Sequence, residues 1–215
     1  MKSKLFLLAS IGARALPALA QIQTSTTAPM PNLPAATRPT DPVVTVVKVK
    51  APWYAPAFLL RRAFRKARPD YEKVAGLRFK YFTISASGPR YFGGIYLWAS
   101  RAQAEAWFSP QWFERVRRTR HAEGEVRYFD LTAEPLPAIA NYDFATAAGC
   151  QAVLVRGTAP AAVVGVLRRY ELRAEGQPAA VLLFESAARA QAFLAAARPA
   201  AEVFDAPVLL RVGPL

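Results

Sequence analysis

The pattern of apolar and polar positions changes near residue 43. From there, short β-branched and aromatic runs alternate with stretches whose apolar residues recur at helical spacing. Along residues 43–140 the pattern predicts strands at 43–50, 77–85, 91–99 and 125–132, with helices at 56–69 and 100–120, the second interrupted at Ser109-Pro110. The order strand, helix, strand, strand, helix, strand is that of a ferredoxin-like unit.

Residues 141–215 repeat this order in a weaker form. The predicted elements are strands at 152–156, 170–174, 179–185 and 208–212 and helices at 160–169 and 187–197. In both halves an apolar strand leads into a serine, Ser100 or Ser186, that can cap an alanine-rich helix. Any alanine-rich helix after an apolar strand would reproduce part of this match, but the shared order favours duplication.

The predicted fold class is therefore α+β, with two tandem ferredoxin-like βαββαβ repeats. The first repeat covers residues 43–140 and the second, degenerate repeat covers residues 141–215. The helices of such a unit cover only one face of its sheet. We expect the two sheets to cover each other's bare faces and to form one pseudo-dimeric α/β barrel.

The first 42 residues lack the alternation of the folded part. Lys2 and Lys4 precede a short apolar run that ends in Ala18-Leu19-Ala20, which is the three-part pattern of a secretory signal peptide over residues 1–20. Residues 21–42 are rich in Pro and Thr and predict a disordered linker. The protein is thus expected to be exported, to the periplasm or beyond; an unstructured tail is the alternative.

Composition excludes several kinds of site. The chain has one cysteine, Cys150, and one histidine, His121, so neither a disulfide scaffold nor a site built on two imidazoles is available. The formal net charge is +13, and residues 41–140 carry most of the excess, with 17 basic and nine acidic groups. The Arg-rich first helix could attract anionic lipid or another polyanion, but we predict no specific nucleic-acid partner and no transmembrane span.

Several segments of residues 43–140 carry a family resemblance: Gly76-Leu77-x-x-Lys80, Gly93-Gly94-Ile95-Tyr96-Leu97-Trp98, the helix to Arg115, Phe129-Asp130-Leu131 and Glu134-Pro135-Leu136. They resemble the YdhR-type mono-oxygenases of the dimeric α/β-barrel superfamily. That family builds its barrel from two chains. Because the second repeat can supply the other half here, we expect a monomer with a pseudo-dimeric barrel, or a weak homodimer.

The resemblance implies a mono-oxygenase that acts on a small apolar or aromatic molecule in the barrel cavity, with no metal and no cofactor. In such chemistry a base deprotonates an acidic phenol or enol, and the resulting anion reduces oxygen. One departure bears on this activity, because the family often has a histidine three positions before the arginine that matches Arg115. This chain has Trp112 there.

Strand alternation groups the candidate site residues. Lys80 and Phe82 share one strand face, as do Tyr96 and Trp98, and we expect these faces to line the barrel cavity. Ile95 and Leu97 should instead pack beneath the helices. The predicted catalytic residues are Lys80 and Arg115, and the predicted substrate-binding residues are Tyr96, Trp98, Phe82 and Trp112.

Each of these residues has a structural alternative. Tyr96 and Trp98 could be ordinary core aromatics, and Lys80 could extend its amine to water. Two other functions also stay open at this point. The same pocket could bind a small ligand without turnover, or the protein could associate with surfaces through its basic first helix.

The predicted signal peptide can be tested directly. If residues 1–20 are a signal peptide, cleavage after Ala20 will leave Gln21 as the N-terminus of the exported protein. N-terminal sequencing of the exported material measures this directly. Soluble material that retains Met1 would contradict export.

Overall fold

Eight antiparallel strands close into a barrel, with four helices packed on its outside, in a computed structural model that describes residues 41–52, 54–133 and 149–212. In chain order the elements are β1 (Val43–Lys50), α1 (Ala57–Tyr71), β2 (Leu77–Ser85), β3 (Tyr91–Trp98), α2 (Arg101–Trp107), α3 (Pro110–Arg120), β4 (Gly124–Leu131), β5 (Gln151–Arg156), β6 (Val166–Ala174), β7 (Gln177–Phe184), α4 (Ala187–Ala197) and β8 (Ala201–Arg211).

The strand order shows that the barrel consists of two equivalent halves. Around the barrel, β4-β1-β3-β2 is followed by β8-β5-β7-β6, and each set of four has the strand order of a ferredoxin-like sheet. The junctions are β2–β8 and β4–β6. Since β2 and β6 run in the same direction, an approximate two-fold axis along the barrel relates the halves. The predicted fold class is confirmed.

The two halves also share local details. Ser100 and Ser186 both cap a helix by accepting a hydrogen bond from the backbone amide three residues later, as expected. Gly76 and Gly165 precede β2 and β6 with nearly equal φ angles of +78° and +79°. At both glycines a Cβ would collide with the side chain of the third residue of the capped helix. Glycine is thus needed twice for the same turn and the same close approach.

One predicted helix is absent. Residues 157–165 form a loop where a helix was expected at 160–169, and β6 starts at Val166. Gly157 and Gly165 bracket the loop with positive φ angles that interrupt helical geometry. The Arg169 guanidinium holds the loop by donating hydrogen bonds to the carbonyl oxygens of Ala159, Pro160 and Ala161. The prediction was wrong because local composition favoured a helix while the glycines and these bonds favour a loop.

Helix α1 is longer than predicted. It runs to Tyr71, past Pro69, where the pattern was expected to end. Proline removes one backbone hydrogen bond from a helix. Because Pro69 lies near the C-terminal end of α1, with two helical residues after it, the helix tolerates this loss. The predicted signal peptide, most of the predicted linker and the Glu134-Pro135-Leu136 segment lie outside the described residues.

The barrel lumen is filled by side chains from both halves. Its core includes Ile95 and Leu97 from β3 and Leu183 from β7. Tyr81 and Tyr170, which occupy equivalent positions on β2 and β6, meet across the axis and share a buried hydrogen bond between their hydroxyls. An eight-stranded barrel is just wide enough for side chains to fill it, and this one follows that rule.

A charged cluster joins the two halves at one end of the lumen. The Glu202 carboxylate accepts hydrogen bonds from Arg127 at 2.6 Å, Lys48 at 3.1 Å and Arg156 at 3.1 Å. Burial raises the pKa of the Glu202 carboxyl, but these three cations outweigh burial and lower the pKa to about 2. Lys48 and Arg127 belong to the first half and Glu202 belongs to the second, so these ion pairs link the two halves.

This cluster predicts a specific pH dependence. Since its folded-state pKa lies below the ordinary value, Glu202 contributes stability above about pH 4.5, and the contribution is lost as the pH falls towards 2. We expect Glu202→Gln to lower the free energy of unfolding by about 2–3 kcal/mol at pH 7, as measured by denaturant titration. The difference between variant and parent should shrink in acid.

The matched control is Glu114→Gln, which removes a carboxylate from an exposed ion pair with Arg117. Such pairs contribute roughly 0–1 kcal/mol. Equal losses for the two variants at pH 7 would contradict the role assigned to Glu202.

Candidate functional site

A buried lysine lies in the layer between the first half-sheet and its helices. Lys80, on β2, is 2% exposed. Its Nζ lies 2.9 Å from the ring centre of Tyr71, 4.0 Å from that of Phe82 and 4.5 Å from that of Tyr96. No described carboxylate lies within 4.0 Å of this amine. Lys80 is therefore surrounded by aromatic faces rather than by counter-ions.

Burial lowers the pKa of the Lys80 amine well below 10.5. The ring faces attract an ammonium group, and such contacts are worth about 2 kcal/mol or more when desolvated. Taking an ion out of water costs several kcal/mol in real proteins. Burial therefore works against the charged form of the amine and shifts it towards the neutral form, which can accept a proton.

Gly94, which shares a strand face with Tyr96, makes room for this arrangement. A Cβ at Gly94 would lie 3.2 Å from Cε of Lys80 and 3.0 Å from the Tyr96 ring. At Gly93 a Cβ would lie 2.0 Å from the carbonyl oxygen of Val47 on the neighbouring strand. A side chain at Gly94 would push the lysine away, and a side chain at Gly93 would push β1 away. Glycine at position 94 therefore lets the lysine lie flat on the sheet.

Two further polar groups sit in the same layer. Trp98 stacks on Tyr96 with ring centres 5.9 Å apart and donates a hydrogen bond of 3.0 Å from its indole nitrogen to the hydroxyl of Thr45. Burial raises the pKa of the Tyr96 hydroxyl well above 10, and the neighbouring Tyr71 raises it further. Tyr96 therefore stays protonated and can donate a hydrogen bond to an oxyanion.

Arginines of α3 supply positive charge at the edge of the layer. Burial raises the pKa of the Tyr71 hydroxyl, while a hydrogen bond with Tyr96 and the charges of Arg115 and Arg120 lower it. Arg115 is partly exposed and forms no ion pair with the described residues. Its charge is thus available to a ligand that reaches Tyr71.

The second half of the barrel provides an internal comparison. The strand registers match Thr45, Lys80, Tyr96 and Trp98 of the first half with Val153, Arg169, Leu182 and Phe184 of the second. Three of the four equivalents are apolar, and the fourth, Arg169, has its donors satisfied by loop carbonyls and Glu171. The fold alone therefore does not require polar groups here, which marks the first half's layer as the candidate site.

The structure corrects the side of the sheet on which the site lies. Lys80, Phe82, Tyr96 and Trp98 were expected to line the barrel cavity, but they pack beneath the helices, while Ile95 and Leu97 face the lumen. Alternation grouped the residues correctly. It could not say which face pointed inward, because both faces of these strands are buried.

The structure brings most of the predicted site residues into this helix–sheet layer. Trp112, on α3, packs against Gly124 and the ring of Phe108, which in turn contacts Tyr96. Tyr71 lies beyond Pro69, where the sequence pattern predicts the end of the helix, so the sequence did not identify it. Its spacing of seven residues from Phe64 is the signal that could have found it. Thr45 was missed as well, since a threonine in a β-branched strand carries no distinguishing pattern.

Comparison with known proteins supports the fold. No family model matches the chain, and no curated protein matches it. A solved structure of a "Putative monooxygenase" from Fusobacterium nucleatum superposes with a TM-score of 0.57 at 7% identity, covering 82% of this chain and 97% of that one. One from Lactobacillus acidophilus gives 0.53 at 8% identity, covering 81% and 98%.

A third solved structure, of an anthrone oxidase-like protein, has a TM-score of 0.51 at 10% identity and covers 81% of this chain and 94% of that one. These similarities concern the fold: this chain shares an α/β-barrel architecture with the three solved structures, and both halves of its barrel lie in one chain.

Two kinds of feature are absent from the described residues. No group of three His, Cys, Asp or Glu side chains in that part of the chain could hold a metal ion. Within the same ranges, none of the helices combines the length and apolar character needed to cross a bilayer.

The buried amine makes a testable prediction. A lysine whose pKa is lower in the folded state than in the unfolded state makes the protein gain stability as the pH rises towards 10.5, because the unfolded chain binds more protons. Lys80→Met should remove this slope and raise the free energy of unfolding at pH 7 by about 1–3 kcal/mol. Denaturant titrations between pH 7 and 10 measure both effects.

The control is Lys73→Met, which removes an exposed lysine from the segment that connects α1 to β2. It should leave the pH slope of the parent unchanged. A Lys80→Met variant with the parent's slope would show that the amine titrates normally.

Proposed function

We propose that the protein is a mono-oxygenase-like enzyme, related in chemistry to the YdhR-type family, that oxidises a small enolisable aromatic molecule in the layer around Lys80. The observation that carries this proposal is a buried amine set among aromatic side chains in one half of the barrel, with no carboxylate of the described residues within 4.0 Å. The monooxygenase and anthrone oxidase names of the structural neighbours support the same class of chemistry.

Each residue of the site has a distinct role in the proposed reaction. The neutral Lys80 amine removes a proton from an acidic C–H or O–H group of the substrate. The Tyr96 hydroxyl and the Arg115 charge stabilise the resulting enolate, while Trp98 supplies a flat apolar wall. These roles need no change of protonation state other than that of Lys80.

The reaction balances without an external reductant. The substrate anion passes an electron to O₂, and the two radicals join through a new C–O bond. Loss of the second proton from the same carbon breaks the O–O bond, so that a CH₂ group and O₂ give a C=O group and water. The substrate supplies every electron.

Access to Lys80 requires one side chain to move. The Tyr71 ring covers the amine, and Tyr71 is the final residue of α1, two positions after Pro69. The Tyr71 ring also contacts Phe82, Tyr96 and Trp107, so an incoming aromatic ring must replace these contacts. In the proposal, an aromatic substrate takes the position of the Tyr71 ring.

Oxygen consumption with anthrone and related enolisable ketones tests the function. We expect Lys80→Met to reduce kcat by about 10²–10⁴-fold, the usual worth of a positioned base. Tyr96→Phe should reduce kcat by a smaller factor. Spontaneous oxidation of each substrate in buffer is subtracted.

The double variant Tyr81→Phe/Tyr170→Phe is the matched control, because it removes phenol groups from the lumen and not from the proposed site. It should turn over normally. Loss of activity in this control, with full activity in Lys80→Met, would move the site into the lumen. Binding of the ketones without oxygen uptake would instead establish a non-catalytic binding protein.

A further inference from the structure

The exposed side of α1 carries an unusual apolar tip. Phe58 is 67% exposed and Leu59 is 44% exposed, in the first turn of the helix. Tyr54, just before the helix, is 54% exposed. These are three of the four large hydrophobic residues that are exposed in the described part of the chain; the fourth is Val164. Burying such side chains elsewhere would be favourable, so their clustering indicates a contact surface.

Four exposed cations follow this tip along the helix: Arg61, Arg62, Arg65 and Lys66. None of them has a carboxylate within 4.0 Å among the described residues. On α3, by comparison, the exposed Arg117 is held by Glu114 and Glu123. Positive charge on α1 is thus left for an external partner.

The apolar tip and the cations lie on one side of the helix. Arg62, Arg65 and Lys66 follow Phe58 by four, seven and eight positions, which places them on the same face. Leu60 and Phe64 lie on the opposite side and pack into the protein. The exposed acid Asp70 lies near the far end of α1, three turns from Phe58.

We propose that this face, named here the α1 face and comprising Phe58, Leu59, Arg61, Arg62, Arg65 and Lys66, binds the surface of an anionic lipid bilayer. The helix would lie in the plane of the interface, with Phe58 and Leu59 entering the boundary between headgroups and acyl chains and the cations meeting lipid phosphates and carboxylates. A nucleic acid would engage the cations only and leave the apolar tip in water. The mixed character of the face therefore favours a membrane.

Co-sedimentation of the full chain with phosphatidylcholine vesicles, with and without phosphatidylserine, tests the proposal. The protein should bind the anionic vesicles and release as the salt concentration rises. The triple variant Arg62→Gln/Arg65→Gln/Lys66→Gln should weaken partitioning by on the order of 100-fold. The control is Arg118→Gln/Arg173→Gln/Arg198→Gln, which removes three exposed cations from other elements and should bind like the parent.

A fluorescent reporter tests insertion of the tip. Phe58→Trp should gain a blue-shifted emission component on anionic vesicles, whereas Val164→Trp, an equally exposed position in the second half, should gain none. Equal binding by both triple variants would overturn the proposal. So would binding to double-stranded DNA that is as tight as vesicle binding and is unaffected by Phe58→Ser.

Discussion

Neither half of this chain can bury the inner face of its own sheet, and the fold depends on the two halves covering each other. The helices lie outside, so the inner faces of β1–β4 and β5–β8 meet only across the lumen. Apolar burial supplies most of the stabilisation, while the Tyr81–Tyr170 hydrogen bond and the Glu202 cluster fix how the halves meet. Side chains from both halves fill the lumen, and for this reason the proposed site lies in a helix–sheet layer instead.

Closure from two halves in one chain allows the halves to differ. A symmetric dimer would carry the same residues in both helix–sheet layers. Here the layer of the second half is apolar and its first helix is replaced by a loop anchored on Arg169. The layer of the first half keeps α1, which covers Lys80 from one side and presents cations to solvent on the other. Structural support and the candidate site are thus assigned to different halves.

The sequence predicted the order of the elements in the first half well, since strand alternation and serine caps are local signals. The strands Val43–Lys50 and Leu77–Ser85 begin and end where expected. The helix predicted at 160–169 does not form, because a residue outside the loop determines the loop's conformation. Arg169, on β6, donates hydrogen bonds to the loop carbonyls. The inward face of β3 could not be predicted for a related reason. Periodicity separates Tyr96 from Ile95, but only the assembled barrel decides which of them meets the other half.

The proposed chemistry depends on Lys80, whose buried amine lies among aromatic rings in the first half and serves as the base in the proposal. A nitrogen-15 NMR titration of the lysine side chains, with Lys80 assigned by its absence in Lys80→Met, measures this amine directly. We expect Lys80 Nζ to titrate well below the ordinary lysine pKa, because the amine is buried and no described carboxylate lies within 4.0 Å of it. A Lys80 pKa at or above the ordinary lysine value would show that this amine cannot serve as the proposed base.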